Sequence, residues 1–160
     1  MKLNNFFLGI LLFFSLGLSA QDTEKWKIAR LENYIKEAKR PLIVNFWATF
    51  CKPCIEEIPY FESLVEKYDS EGIDLLLVSL DMKDAYPKIK QFAAKYGFNS
   101  PIVYLDETNA DLFCPKVDEK WSGGIPASLF INNKTGYRKF FEEQIPENKL
   151  EKEIQMLIKK

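Results

Sequence analysis

A chain of 160 residues with 22 Lys and Arg against 23 Asp and Glu carries a formal charge of −1, so it offers no basic field to a nucleic-acid backbone. It has no histidine and 3 cysteines, which leaves few of the ligands that zinc and other transition metals draw on; neither a metal nor a cofactor is expected. The aromatic content, 13 Phe and 7 Tyr, supplies bulk for a packed core of one domain.

Residues 1–20 read as a secretory leader. Lys2 gives a positive start, Phe6 to Leu18 form an apolar core, and Leu18-Ser19-Ala20 ends in a small residue, which places cleavage after Ala20. The core is shorter than the about 20 apolar residues of a membrane-spanning helix. An uncleaved N-terminal anchor is the alternative, because Leu18 is an imperfect fit to the cleavage pattern. Either way the chain is expected across the cytoplasmic membrane, periplasmic or extracellular, with residues 21–160 as a single domain.

Thr23 to Arg40 reads as an amphipathic helix, with Trp26, Ala29, Leu31, Tyr34, Ile35 and Ala38 on one face and Pro41 as its stop. Leu42, Ile43, Val44 and Phe46 make a buried strand. Cys51 and Cys54 then stand where strand gives way to helix. Pro53 suits a first helical turn, and Ile55, Ile58, Phe61, Leu64, Val65 and Tyr68 repeat at helical spacing. Pro59 lies inside that helix and is expected to kink it. A turn at 69–72 leads to a nearly continuous apolar strand, Ile73 to Leu80, of the kind covered on both faces. Asp84 to Tyr96 reads as a helix capped by Gly97, and Ile102 to Leu105 as a short strand. This alternation predicts an open α/β sheet. Thr108 to Phe113 reads as a short helix that Cys114-Pro115 ends. Ala127 to Ile131 and Tyr137 to Phe141 read as a hairpin across a turn at 132–136, and Leu150, Ile154, Leu157 and Ile158 mark a terminal helix.

The two closely spaced cysteines carry the chemistry. Free amide groups and the positive end of the helix dipole favour an anion at a helix start. The thiolate is the reactive form of cysteine, so Cys51 is the expected nucleophile. Cys54, one turn on, is placed to attack a mixed disulfide formed at Cys51. A structural disulfide and half a zinc site are the bland alternatives. Cys114 is an odd thiol, read as a small buried hydrophobe, with a regulatory or intermolecular disulfide as the alternative.

Trp47-Ala48-Thr49-Phe50-Cys51-Lys52-Pro53-Cys54 resembles the thioredoxin active site. Gly123-Gly124-Ile125-Pro126-Ala127-Ser128-Leu129-Phe130-Ile131 is similar to that family's cis-proline segment. The wider chain resembles the TlpA/ResA-like extracytoplasmic thiol–disulfide oxidoreductases. The resemblance implies an α/β thioredoxin-like fold: a central mixed sheet flanked by helices, with an extra strand and helix before the cis-proline loop. It implies a protein-disulfide reductase that works as a monomer and receives electrons from a membrane thiol donor. The Lys-Pro dipeptide, with no histidine between the cysteines, is in keeping with reduction.

The resemblance also distributes roles. Glu57 shares a helix face with Cys54 and stands where the family carries a glutamate. Asn45 occupies the place where cytosolic thioredoxins have a buried, proton-moving aspartate. Trp47 and Phe50 are expected on the apolar rim around the thiols, though core packing is the alternative for both. Ile125 and a cis-bonded Pro126 are expected to pair with an extended substrate segment. A peroxiredoxin-like peroxidase is a competing reading, but its spacing is absent: Thr49 lies two residues before Cys51, not three. A disulfide oxidase or isomerase on the same fold, a metal carrier and a non-enzymatic binding protein complete the alternatives.

Overall fold

The computed structural model describes residues 23–159; the leader assigned to residues 1–20 lies outside them. In chain order the elements are β1 (Glu24–Trp26), α1 (Ile28–Glu37), β2 (Leu42–Trp47), α2 (Lys52–Lys67), β3 (Asp74–Ser79), α3 (Ile89–Tyr96), β4 (Ile102–Leu105), α4 (Ala110–Val117), β5 (Ala127–Asn132), β6 (Tyr137–Phe141) and α5 (Glu147–Leu157). The strands form one mixed sheet in the order β1-β4-β3-β2-β5-β6. β1, β4, β3 and β2 run parallel, whereas β5 is antiparallel to both β2 and β6. β4 and α4 are the additional strand and helix ahead of Pro126.

β2 is central, and all six of its residues are buried. Side chains alternate across a strand. Ile43 and Trp47 therefore enter the apolar cluster shared with α2, α3 and α5, while Leu42, Val44 and Phe46 enter the cluster shared with α1 and α4. The same alternation points Asn45 at the α2 face, where every other strand-borne side chain of β2 is apolar. This placement brings a polar group to the helix that carries the cysteines.

Three boundaries differ from the sequence reading. Residues 24–26 are a strand, not the start of a helix. Glu24, Lys25 and Trp26 pair with Val103, Tyr104 and Leu105; capturing the open edge of β4 satisfies backbone groups that three frayed helical residues would leave to water. The helix expected from Asp84 begins at Ile89, after a 3-10 turn over Tyr86–Lys88. Pro87 lacks an N–H and disfavours helical backbone in the residue before it. Conversely, α4 runs through Pro115 to Val117. The missing hydrogen bond is offset by burial of Phe113, Cys114 and Val117 in the cluster with Phe46 and Trp121. α2 likewise continues through Pro59 to Lys67.

Candidate active site

The backbone leaves β2 at Trp47 and reaches Cys51, the N-cap of α2, through residues 48–50. Cys51 has extended backbone (φ −90°, ψ 94°), and its Sγ accepts from the Cys54 N–H at 3.3 Å. The two cysteines are joined as a disulfide. Their exposures decide the chemistry: Cys51 is 7% exposed and Cys54 0%, so an incoming thiol or disulfide meets Cys51. An anion at that sulfur faces the Cys54 N–H and the positive end of α2.

The turn before Cys51 is pinned by a residue that the sequence reading missed. Asp81, buried just past β3, accepts from Thr49 N at 3.0 and 3.2 Å through its two oxygens, from Thr49 Oγ1 at 2.5 Å and from Ser79 Oγ at 2.8 Å. A carboxylate at the carboxyl end of a parallel strand is where ligand-handling side chains gather in such sheets, and that is the signal that was available. Asp81→Ala leaves the Thr49 N–H without its acceptor. The expected result is a loss of about 1–3 kcal/mol, read as a lower denaturant midpoint.

Glu57 is fully buried. Its Oε1 accepts from Asn45 Nδ2 at 2.8 Å and its Oε2 from the Ile145 N–H at 2.9 Å. Asn45 Nδ2 also reaches Ser128 Oγ on β5 at 3.0 Å, while Asn45 Oδ1 is buried with no hydrogen-bond partner among the described residues. Burial pushes the Glu57 carboxyl up to about 7, against the smaller opposing effect of the two hydrogen bonds. A carboxyl one helical turn from Cys54 is thus poised to exchange a proton near neutral pH. Its neighbour Glu56 is exposed and pairs with Lys52 at 3.6 Å, a surface contact of little energetic weight.

The remaining sequence-assigned residues divide. The Ile125–Pro126 bond is cis. The β2–β5 ladder ends at Phe46↔Ala127, so Pro126 comes to the end of the sheet where β2 delivers the cysteines. Ile125 is half-buried, and Phe50 is 66% exposed beside Cys51. Trp47 corrects the expectation of a rim. Its side chain is fully buried and packs edge-on against Phe98 and near Phe92, because strand alternation turns it into the core under α3. Cys114 is buried and, among the described residues, unpaired, and burial, with lesser contributions from Glu142 and Asp111, pushes its thiol up to about 11. A thiol so held is almost wholly protonated at neutral pH. Cys114→Ala is accordingly expected to leave the rate of disulfide reduction at the wild-type value; loss of most of that rate, with the circular dichroism spectrum intact, contradicts this.

Residues 14–136 match the AhpC/TSA family. The chain belongs to that family. Within it, the chain is 35% identical over 69 residues to the thiol-disulfide oxidoreductase ResA of Bacillus thuringiensis (strain Al Hakam), a match covering 42% of this chain and 39% of the relative. To ResA of Geobacillus kaustophilus (strain HTA426) it is 26% identical over 118 residues, covering 72% of this chain and 62% of the relative. The chain thus spans 39% and 62% of the length of these two relatives, under two thirds in each case. The thioredoxin-related protein from Neisseria meningitidis serogroup B superposes with a TM-score of 0.64 at 24% identity, covering 77% of this chain and 89% of that one. The AhpC/TSA chain thus has a thioredoxin-like fold.

Proposed function

We propose that the chain is an extracytoplasmic thiol–disulfide oxidoreductase that reduces protein disulfides through Cys51 and Cys54. The observation that carries this is the pairing of an accessible sulfur at the start of α2 with a fully buried one a turn later. In the reduced protein the Cys51 thiolate attacks one sulfur of a substrate disulfide, and the other sulfur leaves as a thiolate. Cys54, after losing its proton, attacks Cys51 Sγ. That closes the Cys51–Cys54 disulfide and releases the substrate's second thiolate, so two electrons have moved to the substrate. Glu57, buried one helical turn from Cys54, takes the Cys54 proton in this reading, and a membrane thiol donor returns the electrons. Exposed Phe50 and the backbone at Ile125, set by the buried Pro126 that follows it, supply the surface against which a substrate segment lies. The acting unit is a monomer, and residues 1–20 direct it out of the cytoplasm.

A peroxidase on this scaffold is less well supported. Thr49, the one threonine near Cys51, has both its N–H and its hydroxyl engaged by Asp81. The deciding experiment is equilibration of the Cys51–Cys54 pair against dithiothreitol and glutathione buffers, with reduction of a protein disulfide followed in parallel. A potential near about −270 mV is expected for a reductant; one near about −120 mV would make it an oxidant.

A further inference from the structure

The segment between α4 and β5 forms neither helix nor strand at residues 118–126, yet it must deliver Ile125 and Pro126 to the sheet end beside the cysteines. Backbone N–H groups outside regular elements need partners from elsewhere. Asp118, Lys120 and Trp121 find theirs within the segment and the end of α4; for Ser122 and Gly124 one side chain provides them. Glu142 directly follows β6, whose last ladder pair with β5 is Ser128↔Phe141, so it emerges at the same sheet end. Its Oε2 accepts from the Ser122 N–H at 2.9 Å, and its Oε1 accepts from Ser122 Oγ at 2.5 Å and from the Gly124 N–H at 2.6 Å. On the far side, Trp121 Nε1 donates to Gly124 O at 2.9 Å. Gly124 is matched to this arrangement, since a Cβ there would lie 2.7 Å from Glu142 Oε1. Gly123, at φ +100°, takes the left-handed backbone that glycine tolerates.

We propose that Glu142 is a positioning residue for protein substrates: its carboxylate braces Ser122–Gly124, so that Ile125 and Pro126 are held ready to receive an extended segment. This rests on the oxidoreductase reading above. All three hydrogen bonds are charge-assisted, the stronger kind. Burial raises the Glu142 carboxyl, but the bonds from Ser122 and Gly124 outweigh it and hold the group below the usual glutamate value, so the brace is ionised at neutral pH. A loop ordered in advance loses less freedom when a polypeptide docks on it. The contribution therefore belongs to docking and not to sulfur chemistry. A small disulfide that needs no docking segment should not sense it.

The test compares E142Q, S122A and wild type on two substrates, insulin and hydroxyethyl disulfide, with dithiothreitol as electron source. E142Q keeps the size of the side chain but turns an amide N–H₂ toward donors. It should raise KM for insulin roughly three- to tenfold with kcat unchanged. The rate on hydroxyethyl disulfide and the Cys51–Cys54 potential should stay at wild-type values. S122A removes one donor and leaves the backbone intact, and should raise KM in the same direction by less. It also serves should E142Q fail to fold. An unchanged KM in both variants overturns the proposal. So does a parallel loss on both substrates with a shifted potential, which would place Glu142 in the support of the cysteines themselves. A wild-type protein unable to reduce insulin would instead refute the oxidoreductase reading.

Discussion

Cys54→Ser is expected to turn the protein into a trap that accumulates mixed disulfides through Cys51, while Cys51→Ser reduces turnover to the uncatalysed background. The asymmetry follows from position. Cys51 caps α2, receives the Cys54 N–H at 3.3 Å and keeps 7% of its surface open; Cys54 keeps none. The helix dipole and the amide lower the cost of an anion at Cys51, and burial raises that cost at Cys54. Alkylation of the reduced protein at neutral pH should therefore label Cys51 first. Mass spectrometry of the Cys54→Ser protein after exposure to a protein disulfide should find the adduct on Cys51. Adducts that form in Cys51→Ser, through Cys54, would reverse the two roles.

How much of this was legible in the sequence depends on how local the determining interaction is. β2 and α2 could be read from periodicity, and the cysteines from their place between them, because each signal lies within a few residues of chain. β1 could not. Its residues have the amphipathic spacing of a helix, and the strand exists only because Val103–Leu105 offer an unpaired edge much later in the sequence. Trp47 takes the core-packing alternative for a related reason. An active-site motif says that a tryptophan sits near the thiols, but the pleat of β2 turns it into the core, whereas Phe50, past the strand's end, escapes to the surface. Asp81 carries only the weak signal of its place past a parallel strand, and Glu142 carries none, because each contact forms only when the fold brings a distant backbone to the carboxylate.

Asn45 and Glu57 show the intermediate case. The sequence placed an acid one turn from Cys54 and removed the older aspartate from β2. What it did not show is that the two positions touch. Ile145 N–H is a fixed donor to Glu57 Oε2, so a proton on Glu57 belongs on Oε1, facing Asn45. The Asn45 amide now presents Nδ2 to that oxygen and leaves Oδ1 without a partner among the described residues. A half-turn of the amide would exchange the two and accept the Glu57 proton's hydrogen bond. The pair is thus suited to either charge state of Glu57.

Glu57→Gln is expected to raise stability above neutral pH and, at the same time, to slow the step in which Cys54 gains or loses a proton. The sign follows from linkage. The Glu57 carboxyl titrates near 7 when folded, against 4.5 for a free glutamate. Between those values the folded state holds the proton and the unfolded state has released it, so stability falls as pH rises through the window. The full cost, reached above about pH 7, is on the order of 3 kcal/mol. Glutamine does not ionise, so its protein should not lose that increment. Its carboxamide oxygen keeps the Ile145 N–H, and its N–H₂ can meet Asn45 Oδ1 after the half-turn, so the fold survives. Urea midpoints at about pH 5 and about pH 8 should diverge for wild type and coincide for Glu57→Gln. In the reduced proteins, loss of the negative charge makes thiolate formation easier. The pH profile of alkylation should therefore shift to lower pH in Glu57→Gln, while turnover with a protein disulfide falls because no carboxyl remains to carry the Cys54 proton. Faster ionisation with slower turnover is a combination that a purely structural glutamate does not produce. Superimposable alkylation profiles with equal turnover would leave Cys51 and Cys54 to act without it.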